Sequence, residues 1–331
     1  MRYTSLGRSG LRVSRLCLGT MNFGPNTGEK DSFAIMDMAL DAGINFFDTA
    51  NIYGARNGGH AGWTEEIMGR WFAQGGGRRN KIALATKFYA DMGDAGDGPN
   101  GADGLSAFKM RRHLEGSLRR LQTDHVELYQ MHHRDDRATW EEIWGAYEAL
   151  IGEGKLLYAG SSNFGARHMV KAQWMADRRN FLGLVSEQHR YNLLCRLPEL
   201  EVVPAARELG IGLVIWSPLG MGMLSGSLLK SVEDGQRSKK YVGKVSGETM
   251  GRLQAYQKLC DGLGEAPANV ALAWLLANPA VACPIVGPRT PEQLQGALRA
   301  AEIELAPETM AELDRIFPGP GGEGPEAYSR G

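Results

Sequence analysis

Eight short runs of β-branched and apolar residues recur along the chain, and stretches of helical periodicity separate them. This alternation is the order expected of a parallel sheet built from βα units. Eight units close a barrel, whereas an open doubly wound sheet normally has fewer strands and needs a glycine-rich phosphate turn after its first strand. The first strand here continues into GTMNFG, which contains no GxGxxG. The sequence therefore predicts an α/β fold, a (β/α)8 TIM barrel, with strands at 16–20, 44–48, 82–87, 126–132, 156–162, 184–188, 212–217 and 284–287.

Four segments depart from the βα rhythm. Residues 1–14 contain YTSLGRSGLRVS, which predicts a β-hairpin that plugs the floor of the barrel. Long loops at 88–107 and about 218–248 follow the third and seventh strands, on the face where barrel enzymes carry their sites. The glycine-rich end, about 318–331, predicts a flexible tail. No linker divides the chain, so we expect residues 1–331 to form one barrel domain.

Composition excludes several classes of partner. Lys and Arg total 37 against 38 for Asp and Glu, so no overall field would attract nucleic acid or an anionic membrane. No apolar run is long enough to span a bilayer, and the four widely spaced cysteines favour reduced thiols in a cytoplasmic protein. The aspartates of 88–107 do not fit a calcium loop, so no metal site is predicted. A small-molecule substrate is the expected partner, and homo-oligomer formation is left open.

Ionisable side chains stand at or just beyond the ends of three neighbouring predicted strands. Asp48 ends the second strand and Tyr53 follows it, Lys87 ends the third, and His132 ends the fourth. Because the carboxyl ends of barrel strands meet at one rim, these side chains should converge. Strand alternation allows only one of His132 and His133 to face the barrel. If that residue is His132, the side chains at 126, 128 and 130 face the barrel with it.

Such a set permits one specific chemistry. Tyrosine has a reference pKa of about 10, and a nearby cation lowers it by favouring the phenolate. Lys87 can be that cation, Asp48 can keep it charged, and a neutral imidazole can orient a carbonyl oxygen. Tyr53 would then protonate that oxygen while a cofactor delivers a hydride to the carbon, since no side chain delivers a hydride. An alternative, a lyase that uses Lys87 as a Schiff-base nucleophile, is disfavoured because Asp48 would keep the amine protonated.

These residues lie within motifs that resemble those of the aldo-keto reductases. GINFFDTANIYG at 43–54 is similar to the signature of that family, and the resemblance spans nearly the whole chain. It includes LGRSGLRVSRLCLGTMNFG, ATK at Lys87, SSNF at 161–164, SEQ ending at Gln188, WSPLGMGMLSG and IVGPRTPEQL. Separated motifs in the right order are far more specific than any one alone. The resemblance implies that Asp48, Tyr53, Lys87 and His132 are the catalytic tetrad, with Tyr53 as the proton donor.

The resemblance also implies a nicotinamide cofactor, with Trp216 stacked on its ring and Ser162, Asn163 and Gln188 at its carboxamide. A basic fork at Arg289 and Gln293 would hold a 2'-phosphate, which favours NADPH/NADP+ over NADH. Against this, the family often has an asparagine near Ala297 that contacts adenine, and this chain lacks it. The complete implied cofactor set is Gly19, Thr20, Met21, Asp48, Ser162, Asn163, Gln188, Trp216, Ser217, Pro218, Leu219, Gly220, Met221, Leu224, Arg237, Gly287, Arg289 and Gln293.

The substrate side is less specific. Phe23, Phe88 and His133 are predicted to line the pocket around the carbonyl, which suits aldehydes and ketones broadly. The leading hypothesis is an NADPH-dependent reductase that converts aldehydes or ketones to alcohols. Two alternatives stay open: a nicotinamide-binding regulatory or scaffold subunit with weak catalysis, and a reductase dedicated to nucleotide-linked keto sugars.

Overall fold

Eight parallel strands form a closed barrel in the computed structural model, which describes residues 1–55, 57–227 and 245–328. Each strand pairs with the next along the chain, and the last pairs with the first, so the predicted (β/α)8 barrel is confirmed. A two-stranded antiparallel hairpin, β1 (Tyr3–Ser5) and β2 (Arg12–Ser14), precedes it. The barrel strands are β3 (Cys17–Gly19), β4 (Phe46–Asp48), β5 (Ala83–Phe88), β6 (Val126–Met131), β7 (Leu156–Ser162), β8 (Leu184–Arg190), β9 (Gly212–Trp216) and β10 (Val281–Val286).

Helices surround the barrel and cover its outer face. The third of them shows why the sequence folds this way: Ser106 accepts a hydrogen bond from the Lys109 N–H and caps the start, and Met110, Leu114 and Leu121 form a fully buried stripe. The helices are α1 (Glu29–Asp41), α2 (Trp63–Ala73), α3 (Ala107–Leu121), α4 (Trp140–Gly152), α5 (Ala166–Asp177), α6 (Val202–Leu209), α7 (Gly247–Leu263), α8 (Pro267–Ala277), α9 (Pro291–Leu298), α10 (Pro307–Ile316) and α11 (Gly324–Tyr328). No helix in the described ranges is long and apolar enough to cross a membrane.

The last barrel strand begins earlier than predicted. β10 starts at Val281 rather than at Pro284, and proline therefore lies inside the strand. The pairing of β10 with β9 shifts register between Val281 and Cys283, immediately before the proline. A residue without an N–H is tolerated in a strand at such an irregularity. The predicted start at 284 was therefore wrong by three residues.

The N-terminal hairpin closes one end of the barrel. Leu6 and Val13 are fully buried and pack with Phe46 and Leu128, which point into the barrel. Gly7 has a φ of +56°, and a Cβ at this position would lie 2.2 Å from the carbonyl oxygen of Val185. Only glycine allows the hairpin backbone to approach the strands this closely. These side chains make the barrel interior apolar next to the hairpin.

The C-terminal segment that was predicted to be a flexible tail contains a short helix. The short helix α11 begins at Gly324, whose N–H donates to the carbonyl of Leu200 at 2.9 Å. Arg207 and Glu323 form an ion pair nearby, with 3.7 Å between Nη1 and Oε1. Residues 329–331 lie outside the described part of the chain.

Candidate active site

Lys87 lies at the centre of the polar group at the carboxyl end of the barrel. Its Nζ donates to Asp48 Oδ2 at 2.6 Å, to the Thr49 carbonyl at 2.8 Å and to Tyr53 Oη at 3.2 Å. Asp48 ends β4, Tyr53 lies in the turn after it, and Lys87 is the fifth residue of the neighbouring β5. His132 follows β6, and its ring centroid lies 6.0 Å from that of Tyr53. The four residues predicted to converge are therefore brought together.

The surroundings of Lys87 keep it charged. The ammonium is completely buried, and burial alone would lower the pKa of Lys87. The charges of Asp48 and Tyr53 and the hydrogen bonds to them outweigh burial, so the pKa of Lys87 is raised. A fixed positive charge thus lies next to the Tyr53 hydroxyl.

Two glutamines hold Asp48 from the side opposite to Lys87. Gln130 Nε2 and Gln188 Nε2 donate to Asp48 Oδ1 at 3.0 Å and 2.8 Å, and Gln188 Nε2 also lies 3.3 Å from Gln130 Oε1. Both carboxylate oxygens are therefore bonded, which fixes the carboxylate plane. Sequence reasoning assigned Gln188 to the cofactor and gave Gln130 no role. A role for Gln130 could have been predicted, because Gln130 shares a strand face with His132.

His132 is held in place by its main chain and remains neutral. Its N–H donates to the Phe88 carbonyl at 3.0 Å. Burial, the Lys87 charge and the neighbouring His133 lower the pKa of His132 well below its usual value. An imidazole that is neutral near pH 7 can donate one hydrogen bond to a carbonyl oxygen without transferring a proton.

The second histidine of the pair lies at the edge of the site. His133 is exposed and stacks on His132, with 5.3 Å between ring centroids and 8° between planes. Tyr89 packs edge-on against His133, with 5.3 Å between ring centroids. His133 therefore borders the entrance to the site and supports the His132 ring.

A hydrogen-bonded series of side chains runs along the rim from β7 to β9. Trp216 Nε1 donates to Asn163 Oδ1 at 3.1 Å, and Asn163 Nδ2 donates to the His132 carbonyl and to Ser162 Oγ, both at 3.0 Å. Ser162 Oγ donates to the Gln188 carbonyl at 2.9 Å. Asn163 has a φ of +62°, a left-handed conformation that asparagine tolerates better than most residues. The half-buried Trp216 ring is oriented by this series.

A buried carboxylate supports the same rim from outside the barrel. Glu187 accepts hydrogen bonds from Ser161 Oγ at 2.5 Å and from the Phe164 N–H at 2.9 Å, and its Oε1 lies 3.1 Å from His189 Nδ1. Burial raises the pKa of Glu187. These bonds fix the chain on both sides of Asn163. No local signal in the sequence assigned this role to Glu187, although it stands beside Gln188.

The loop after β9 uses most of its own N–H groups internally. Met221 donates to Ser217 Oγ at 3.1 Å, Gly220 donates to the Ser217 carbonyl at 3.0 Å, and Gly222 and Leu224 donate to the Leu219 carbonyl. Each of these four N–H groups therefore already has an acceptor within the loop, and the predicted contact of this loop with the cofactor stays a prediction. Leu224 is also fully buried beneath the loop. The predicted residues of this loop are Ser217, Pro218, Leu219, Gly220, Met221 and Leu224.

The end of β3 contacts the main chain of Asp48. Thr20 is buried, and its Oγ1 and N–H both donate to the Asp48 carbonyl, at 2.9 Å and 3.1 Å. Gly19 is buried beside Ile285 of β10, where a Cβ would lie 2.4 Å from that side chain. Met21 alone of the three predicted residues is partly exposed.

The predicted phosphate-binding turn follows β10. Gly287 is exposed, and the Arg289 N–H donates to Gln293 Oε1 at 2.9 Å, which closes the turn onto the first residues of α9. Gln293 is exposed and Arg289 is half-buried. Arg237, which was also predicted to bind the cofactor, lies outside the described residues.

The prediction that Phe23 and Phe88 line the substrate pocket is wrong. Phe23 and Phe88 are both completely buried in the outer core. Phe88 stacks on Tyr129, with 4.6 Å between ring centroids. It follows Lys87 on β5, and because alternate residues point to opposite faces, an inward Lys87 requires an outward Phe88.

A buried histidine outside the predicted site contacts the turn that carries Tyr53. His113 Nδ1 lies 3.0 Å from Asn51 Nδ2, and its Nε2 lies 3.3 Å from Asp97 Oδ2. Burial and the charge of Lys109 lower the pKa of His113. A neutral ring with its proton on Nε2 satisfies both contacts, since Nδ1 then accepts from Asn51. The Asn51 N–H donates in turn to the carbonyl of Lys87 at 3.1 Å.

Comparison with known proteins agrees with the site. The model of the aldo/keto reductase family matches residues 15–317. The chain is 59% identical over 329 residues to an uncharacterized oxidoreductase, YrpG, of Bacillus subtilis, covering 99% of this chain and 100% of that protein. It is 32% identical over 327 residues to a probable voltage-gated potassium channel subunit beta of Oryza sativa, covering 96% of each, and 31% identical over 328 residues to one of Arabidopsis thaliana, covering 96% and 97%. The chain therefore belongs to the aldo/keto reductase family.

Proposed function

We propose that this protein reduces aldehydes or ketones to alcohols with NADPH and that Tyr53 donates the proton. The observation that carries the proposal is the position of Lys87 Nζ, 2.6 Å from Asp48 Oδ2 and 3.2 Å from Tyr53 Oη. A buried ammonium held by a carboxylate favours the phenolate that tyrosine becomes when it gives up its proton. The family to which the chain belongs and its 59% identity to an oxidoreductase support this reaction class.

Ser162, Asn163 and Trp216 would hold the nicotinamide end of the cofactor. Their chemistry fits that group, since a half-buried indole offers a flat face and the adjacent amide and hydroxyl can contact a carboxamide. When bound, NADPH would supply the hydride. Gln188 would be the third contact through its Oε1, because its Nε2 donates to Asp48 Oδ1.

Proton transfer would use only residues of the chain. A carbonyl oxygen placed near Tyr53 Oη and His132 would accept a hydrogen bond from the neutral imidazole. Tyr53 would release its proton to that oxygen as negative charge develops on it. Lys87 would stabilise the phenolate left behind, and Asp48 would keep the ammonium in place.

The preference for NADPH over NADH is part of the proposal. Arg289 and Gln293 lie together on the turn into α9, where a guanidinium could hold a 2'-phosphate. Dissociation constants for NADPH and NADH in wild type and R289L test this. The proposal expects R289L to weaken NADPH binding by about tenfold and to leave NADH binding unchanged. Equal weakening for both cofactors would remove Arg289 from the 2'-phosphate site.

A regulatory role is the second candidate, because two relatives at 32% and 31% identity are named as probable potassium channel subunits. In that case the protein would bind NADPH and turn over slowly. Fluorescence titration with NADPH followed by steady-state and single-turnover reduction of a panel of aldehydes separates the two. Multiple turnovers with a reaction rate that saturates with aldehyde support the reductase. One turnover followed by a stall supports the regulatory subunit, and failure to bind NADPH would refute both.

A further inference from the structure

Arg190 projects into the mouth of the site. It ends β8, two residues after Gln188, so the two side chains share a strand face, and Gln188 reaches Asp48 inside the barrel. The Cα partner of Arg190 across the sheet is Trp216 of β9. Its guanidinium carbon lies 5.9 Å from the centroid of the Trp216 ring. Arg190 is therefore a cation at the same rim as Asn163 and Trp216.

The guanidinium lacks a compensating anion within the described residues. The Nε atom of Arg190 is buried without a hydrogen-bond partner there, and the guanidinium lies over the Trp216 ring. Two other half-buried arginines are paired with carboxylates: Arg79 lies 3.0 Å from Glu127 and Arg196 lies 2.7 Å from Glu199. A buried N–H without an acceptor is destabilising, so its presence at a reaction site indicates a group that a ligand satisfies.

We propose that Arg190 binds an anionic group on the substrate, so that the preferred substrates are aldehydes or ketones that carry a carboxylate or a phosphate. This inference rests on the proposed reductase function. A planar guanidinium offers paired donors that match the two oxygens of either anion. The Trp216 ring restricts the guanidinium plane from one side. The pyrophosphate of the cofactor is another source of such an anion, and the experiment distinguishes the two.

The test compares two aldehydes of similar shape, 4-carboxybenzaldehyde and neutral 4-nitrobenzaldehyde, at saturating NADPH. The ratio of their kcat/KM values cancels the intrinsic reactivity of each aldehyde when variants are compared. R190M should lower the ratio, carboxylate over nitro, by about tenfold or more, the loss expected for a charge-assisted pair. R190K should lower it less. R178M is the matched control, because Arg178 also lies over a tryptophan, 5.3 Å from the Trp174 centroid, but on the outer surface.

The outcomes separate the two anions and the two proposals. An unchanged ratio in R190M overturns the inference. If the ratio is unchanged and the dissociation constant for NADPH rises, Arg190 is assigned to the cofactor phosphates instead. If R190M does not fold, the same ratio of kcat/KM values is measured with R190Q. If the wild type reduces neither aldehyde, the proposed function fails, and calorimetric titration with benzoate and benzamide decides about Arg190. Selective loss of benzoate binding in R190M then supports the inference, and equal binding to wild type and variant overturns it.

Discussion

Replacing Lys87 by Met tests the electrostatic argument at the centre of the site. The Nζ atom lies 3.2 Å from Tyr53 Oη, so Coulomb's law at an effective dielectric of about 20 gives roughly 5 kcal/mol between the ammonium and a phenolate. Each 1.36 kcal/mol corresponds to about tenfold in rate, so kcat should fall by roughly three to four orders of magnitude. Binding of NADPH should change little, because Lys87 contacts Asp48, Thr49 and Tyr53.

The same substitution has a separate effect on stability. It leaves the Asp48 carboxylate buried with only the amides of Gln130 and Gln188, and breaking a buried ion pair from one side costs about 3–5 kcal/mol. The double variant D48N/K87M removes both charges and should regain most of the lost stability. It should regain none of the lost turnover, since no cation remains beside Tyr53.

Stopped-flow oxidation of NADPH with an aldehyde in excess measures the rate, and thermal unfolding measures stability in the same preparations. A K87M variant that keeps more than about one-tenth of the wild-type rate would refute the argument, since that corresponds to less than about 1.4 kcal/mol. Recovery of turnover in D48N/K87M would also refute it, because stability alone would then explain the loss.

Three further predictions concern residues around the tetrad. H113L leaves the Asn51 amide without its acceptor and should lower kcat by about tenfold and the free energy of unfolding by about 1–3 kcal/mol. H113N offers an oxygen near the position of Nδ1 and should restore part of both. Equal effects of the two variants in stopped-flow and thermal unfolding would contradict this. E187Q replaces one acceptor oxygen of the hydrogen bonds from Ser161 and Phe164, on either side of Asn163, and should raise the NADPH dissociation constant measured by fluorescence about tenfold. An unchanged constant would show that Glu187 does not support the position of Asn163. Because the pKa of His132 is lowered in the folded protein, the unfolded chain binds a proton below about pH 6.5 that the native state does not, so the free energy of unfolding should fall as the pH falls. Between about pH 7.5 and 5.5 the melting temperature of H132Q should therefore fall less than that of the wild type. An equal fall in the two proteins would contradict the neutral imidazole.

Periodicity predicted the parts of the fold that depend on neighbouring residues. The alternation of strands and helices was enough for the barrel, and the ends of β4, β5 and β6 put Asp48, Lys87 and His132 at one rim. The same alternation would have placed Phe88 outside the barrel, since Lys87 points inward. The assignment of Phe88 to the substrate pocket did not apply this alternation.

Contacts between distant segments were not readable from the sequence. His113 of α3 meets Asn51 of the Tyr53 turn and Asp97 of a loop, and three separate segments must fold before that contact exists. Glu187 points away from the barrel interior, so its support of Asn163 depends on where Ser161 and Phe164 lie in space. The N–H groups of the loop after β9 look available in the sequence, and only its folded conformation shows that Ser217 Oγ and the Leu219 carbonyl already accept several of them.

The most direct test of the central claim compares wild type and Y53F in a single experiment. NADPH binding is measured by fluorescence, an aldehyde is then added, and oxidation of the bound cofactor is followed by absorbance. The account predicts equal dissociation constants for NADPH and a rate in Y53F at least about a hundredfold below wild type, the contribution expected of a positioned proton donor. Oxidation by Y53F at the wild-type rate would show that Tyr53 is not the proton donor.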